Sequence, residues 1–149
     1  MPIDAAGPLI AAACLTLGLG LAPPARAQSL TFGEVLAQGA VPLNADQAQT
    51  LARGARVRYT PLIGGTFRRW QLLPDGALTA TRMGTSGAYF DAPGTWSVRP
   101  DGALCITIDW AILSTERWCR HIYPVDEVHY IFGRLAGPET PGATYHFSR

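Results

Sequence analysis

The chain has 149 residues, 12 cationic side chains and 11 carboxylates, for a formal net charge of +1. That balance argues against nucleic acid or an anionic membrane surface as the partner. The length suits one domain with a real core. Every cation is an arginine, which reads as a GC-rich genome more readily than as a binding site.

From Gly7 to Leu21 the chain is nearly all Ala, Leu, Ile and Gly and carries no charge. The run falls short of the roughly 20 apolar residues that cross a bilayer, but it suits the apolar core of a signal peptide. Pro23 and Pro24 break it, and Ala25-Arg26-Ala27 has the small-x-small form of a cleavage site. Residues 1–27 are therefore expected to be a signal peptide, with Gln28 as the new N-terminus. The Met-Pro-Ile-Asp start lacks the usual basic residue. A retained anchor or a lipid-bearing Cys14 fits the pattern less well. No second apolar stretch of spanning length follows, so no stable membrane span is expected after cleavage, and the expected address is the periplasm or the exterior.

Residues 28–54 read as a helical segment. Thr31-Phe32-Gly33-Glu34 has the form of a capping box, predicting a short helix from Phe32 to Gln38 stopped by Gly39. Asn44 with Gln47 predicts a second helix over Ala45–Arg53, closed by Gly54.

Residues 55–149 read as an antiparallel β domain. Trp70 to Leu78 and Trp96 to Leu104 are copies of one pattern, a Trp followed by Pro-Asp-Gly-Ala-Leu at the same spacing. Proline pre-sets φ, aspartate bonds the local backbone and glycine takes positive φ, so each copy predicts a hairpin. The two-residue period puts Trp96, Val98, Leu104, Ile106, Ile108 and Trp110 on one face. Thr95, Ser97, Cys105, Thr107 and Asp109 take the other. A third hairpin is predicted from Glu116 to Tyr123, returning over Val128–Gly133 through a turn at Pro124, Val125 and Asp126. Gly84–Gly94 reads as a flexible connection, and Ala143–Phe147 as a last edge strand. The expected fold is mainly β: seven or eight strands in meander order, forming a curled sheet or a small lipocalin-like barrel fronted by the N-terminal helices.

Loss of Cys14 leaves Cys105 and Cys119, read as one disulfide in an oxidising compartment. A reactive thiol pair is the alternative, although such pairs usually sit closer in sequence at a helix N-terminus. The hairpin register would set His121 opposite His129, a seed for copper or zinc with Asp109 or Glu116 as a third ligand. Two histidines on adjacent strands are more often packing or surface residues, and no cofactor is expected. No Gly-x-Ser-x-Gly elbow surrounds Ser86 or Ser114. Asp109 with Glu116 is a carboxylate pair that could serve acid–base work, whereas Asp75 and Asp101 read as turn formers. Trp70, Trp96, Trp110 and Trp118 are a heavy complement. Packing accounts for them, and the sharper reading puts Trp70, Trp96 or Trp110 around a small apolar or glycan ligand.

The repeated Trp/Pro-Asp-Gly pattern, the run Gly94-Thr95-Trp96-Ser97-Val98 and the later Leu104-Cys105 and Cys119 resemble a family of small exported Gram-negative bacterial proteins of uncharacterised function. The likeness covers Leu43 to Gly133 and implies fold and compartment, with no active site. Two function classes follow from the residues: a non-catalytic binding or envelope-associated module, whose partner would be a small ligand or an envelope protein, and a metal-dependent or hydrolytic enzyme around His121 and His129.

Overall fold

The structure is a computed structural model that describes residues 29–62, 67–111 and 114–149. The expected signal peptide, residues 1–27, lies outside the described residues. Both helices form where their caps direct. Thr31 Oγ1 accepts from the Glu34 N–H while Glu34 accepts from the Thr31 N–H, opening α1 at Phe32–Ala37. Asn44 and Gln47 repeat the exchange at the start of α2, Ala45–Ala52. Each helix ends one residue before the predicted limit, because Gln38 and Arg53 act as C-caps ahead of Gly39 and Gly54 at positive φ.

Nine strands follow: β1 Arg56–Tyr59, β2 Arg68–Leu72, β3 Ala77–Met83, β4 Tyr89–Val98, β5 Leu104–Asp109, β6 Thr115–Arg120, β7 Ile122–Val125, β8 Val128–Ile131 and β9 Ala143–Ser148. The two Pro-Asp-Gly turns are built alike. Asp75 Oδ1 accepts from the Ala77 N–H at 3.0 Å, and Asp101 Oδ1 from the Ala103 N–H at 3.1 Å. Leu73 and Arg99 each donate their N–H to the alanine carbonyl four residues on, at 2.9 Å. The hairpins β2–β3 and β4–β5 result.

Three local expectations are corrected. Only the first part of Gly84–Gly94 is a connection; Tyr89–Gly94 is strand, paired with β3 from Met83 to Leu78. Pro93 and Gly94 hid its periodicity, yet Gly94 is required because a Cβ there would run into the Thr107 carbonyl of β5. In the third hairpin Pro124 and Val125 belong to β7, and the turn falls between Val125 and Val128, with Asp126 at φ 51°. Ala143–Ser148 is no edge strand, since β9 pairs with both β1 and β8.

The strand order is β6-β5-β4-β3-β2-β1-β9-β8-β7. Its two ends, β6 and β7, are separated in the chain by His121 alone, so the sheet curls back on itself and brings its ends near each other without pairing them. The result is a nearly closed, barrel-like antiparallel sheet. Inside, Val57, Leu72, Leu78, Trp96, Leu104, Ile106 and Ile122 form the main core, with Ala52 of α2 and the flanking Leu43 and Leu51 packed against it. The predicted faces hold: Trp96, Leu104, Ile106, Ile108 and Trp110 are buried, while Asp109 and Thr95 are exposed. A smaller core lies on the outer face, where Val35 of α1 meets Tyr130 and Phe132. Cys105 and Cys119 face each other on β5 and β6 and are joined as a disulfide, Cα atoms 4.0 Å apart.

Candidate ligand-binding site

Strand register explains how polar groups reach the barrel interior. One rung of the sheet runs Tyr145–Tyr59–Arg68–Arg82–Phe90 across β9, β1, β2, β3 and β4. The next rung on the same face, Val57–Trp70–Ala80–Ala92, is buried and apolar. The barrel interior therefore passes in one step from hydrocarbon to phenols and guanidiniums.

Glu116 of β6 reaches across to this rung. It faces inward because its neighbour across β5 is the buried Ile108. Its Oε2 accepts from Arg68 Nη1 at 3.3 Å and from the Trp110 indole N–H at 3.1 Å, and its Oε1 accepts from the Trp118 indole N–H at 2.9 Å. The carboxylate is held from three sides, so its position is set by packing as well as by charge. Arg68 also donates to the Tyr59 hydroxyl at 3.3 Å.

Two further guanidiniums share the inner face. Arg82 lies 5.1 Å from the Trp110 ring centroid, and Arg120 lies 4.8 Å from that of Trp118. Stacking on an indole favours a desolvated cation, but it leaves the charge without a counter-ion. Among the described residues neither forms an ion pair, and the Nε atoms of Arg68 and Arg82 are buried with no hydrogen-bond partner. Of these three inward arginines, only Arg68 is paired with a carboxylate among the described residues.

A cavity of about 270 Å³ opens here, lined by Tyr59, Arg68, Glu116, Trp118, Arg120 and Tyr145. The two tyrosines stack, centroids 4.5 Å apart, and Trp70 packs beneath both. Burial pushes the Tyr59 phenol up to about 12, with Glu116 adding to the shift and Arg68 opposing it. Burial, reinforced by Tyr59, raises Tyr145 as well. Both phenols stay protonated at neutral pH. Tyr59 accepts from Arg68, and its own O–H remains a donor.

The residues singled out in the sequence fall into three places. Cys105 and Cys119 are bonded on the outer face. Trp70 and Trp96 are core residues, 2% and 5% exposed, and the Trp96 indole donates to the Leu73 carbonyl at 2.8 Å. Trp110 touches the site through Glu116, while the ring at the cavity wall is Trp118.

His121 and His129 are not opposite each other: His129 pairs with Pro124 and with Tyr145, and His121 sits at the break between β6 and β7. The turn is centred between Asp126 and Glu127 instead of on Val125, which moves the partner of His129 by three residues, from His121 to Pro124. Asp109 and Glu116 lie on opposite faces, so they make no carboxylate pair. Among the described residues no group of three His, Cys, Asp or Glu is placed to hold a metal.

No motif in the sequence marks Arg68, Arg120, Tyr59 or Tyr145. The one available signal was charge at inward positions of a strand: Glu116, Trp118 and Arg120 share a face. No protein-family model, curated protein or solved structure matches the chain.

Proposed function

We propose that this chain is a non-catalytic binding module of an oxidising compartment, the periplasm or the exterior, and that it holds a small organic anion inside its barrel. One observation carries the reading: Arg68, Arg82 and Arg120 face the barrel interior, and among the described residues only Arg68 is paired with a carboxylate, that of Glu116. Unneutralised charge in a partly desolvated site is costly, and an incoming oxyanion offsets that cost. The Trp118 wall, the stacked tyrosines and a 270 Å³ cavity favour a flat or short apolar body behind the anionic group. The outer-face disulfide supports the compartment. Among the described residues no helix is long and apolar enough to cross a membrane.

The test is a tryptophan-fluorescence titration with 1-naphthoate and its neutral isostere, 1-naphthamide. The naphthoate is expected to quench Trp118 and to bind about tenfold more tightly, the worth of one charge-assisted hydrogen-bond pair. Arg120→Gln is expected to erase that preference. Equal affinity for the two probes, or no binding of either, overturns the reading.

A further inference from the structure

The strand order leaves β6 and β7 each with one side that pairs with no named strand. The chain attends to β7, where the Leu43 N–H donates to the Ile122 carbonyl at 2.9 Å. It does not attend to β6. The 4.0 Å Cα separation of Cys105 and Cys119 marks a non-hydrogen-bonded pair of the antiparallel ladder. Arg117 and Thr115 fall in the same phase, so these three residues aim their N–H and C=O groups away from β5. Among the described residues no backbone hydrogen bond from outside the sheet reaches them.

A groove of about 700 Å³ runs along this edge. Its floor includes the rings of Phe32, Tyr123 and Phe132, packed with centroids 4.9 to 5.9 Å apart. Its rim carries Arg117 and Arg134, neither in an ion pair among the described residues, beside Arg99, which is paired with Asp101 at 3.4 Å. An unpaired strand edge, an aromatic floor and a cationic rim occur together.

We infer that β6 accepts an extended segment of a partner protein as an additional strand, and that this segment alternates acidic and apolar residues. Addition to a sheet edge supplies main-chain hydrogen bonds, and the neighbouring side chains supply the selection. The six residues of β6 offer about 20 Å of edge, enough for a segment of similar length. The acidic character follows from the unpaired arginines, and the apolar character from the rings. A second copy of this chain is a poor occupant, because edge-to-edge pairing would bring two sets of like-charged arginines together.

The test uses the full oxidised chain and a fluorescein-labelled octapeptide of alternating glutamate and valine, read by fluorescence anisotropy. Three comparison peptides accompany it. One replaces glutamate with lysine, and two are N-methylated on alternate amides, one on the odd set and one on the even. Binding is expected for the acidic peptide, with at least a tenfold loss for the lysine peptide and for one N-methylated set but not the other. Arg117→Pro removes an outward N–H without touching the β5 ladder. It is expected to weaken binding beyond Arg117→Gln, which keeps that N–H, with both variants melting as cooperatively as the parent. Tolerance of both N-methylated sets overturns strand addition, and equal binding of the lysine peptide overturns the charge assignment. Absence of binding at millimolar peptide, or a dimer by sedimentation that Arg117→Pro dissolves, overturns the proposal outright.

Discussion

Glu116 concentrates more of the interior polar network than any other described residue, and its removal separates structure from charge. Glu116→Leu leaves Arg68 and two indole N–H groups without their acceptor, with both members of the ion pair only about a quarter exposed. The expected loss is about 2–4 kcal/mol in urea unfolding. Arg68→Leu added to it is expected to restore part of that loss, since the stranded cation is gone. His129 gives a second residue-scale prediction. Burial lowers its pKa below 6.5, with His146 adding to the effect. Below pH of about 6.5 the unfolded chain therefore takes up a proton that the folded chain resists. The melting temperature is expected to fall as pH drops through that region, and His129→Gln is expected to flatten that part of the profile. Both residues stand out in the sequence, as candidate metal ligands, but not in the roles the structure gives them. Glu116 is legible as a candidate ligand or acid, but its partner Arg68 lies 48 residues away and meets it only because the sheet curls.

The two hairpin turns are a controlled pair at the scale of elements. Gly76 and Gly102 hold the same place in the same motif, at φ 91° and 86°. A methyl group on Gly76 would meet only the Trp96 carbonyl at 3.4 Å, whereas one on Gly102 would collide with the Leu43 carbonyl and Asn44 at the start of α2. Gly76→Ala is expected to cost about 1 kcal/mol, the price of left-handed backbone. Gly102→Ala should cost distinctly more and displace α2, visible as loss of amide-exchange protection over Ala48–Ala52. The disulfide belongs to this scale too. It joins neighbouring strands 14 residues apart, so Cys105→Ser with Cys119→Ser is expected to cost about 3 kcal/mol or somewhat less, because the ladder already closes the loop. The caps, the two Pro-Asp-Gly turns and the cysteine pair are readable because each rests on residues within one short segment, whereas the third turn, which lacks that motif, is not. β4 was misread where Pro93 and Gly94 interrupt the alternation, although it is the close approach of β5 that demands the glycine.

For the whole molecule, meander order and mainly β character followed from the spacing of turn residues. Closure did not. Whether β9 ends the sheet or pairs with β1 depends on accumulated twist, and the sequence carries no local mark of that. Closure is also what turns an outwardly ordinary set of arginines into an interior charge imbalance, so the functional reading became available only at this scale. The account stands on that imbalance. A crystal structure of the protein with 1-naphthoate tests it most directly. The carboxylate is expected within hydrogen-bonding distance of Arg68 and Arg120, with the ring against Trp118. A naphthoate seated instead in the apolar groove between α2 and Phe147, or its carboxylate turned to solvent, would contradict it.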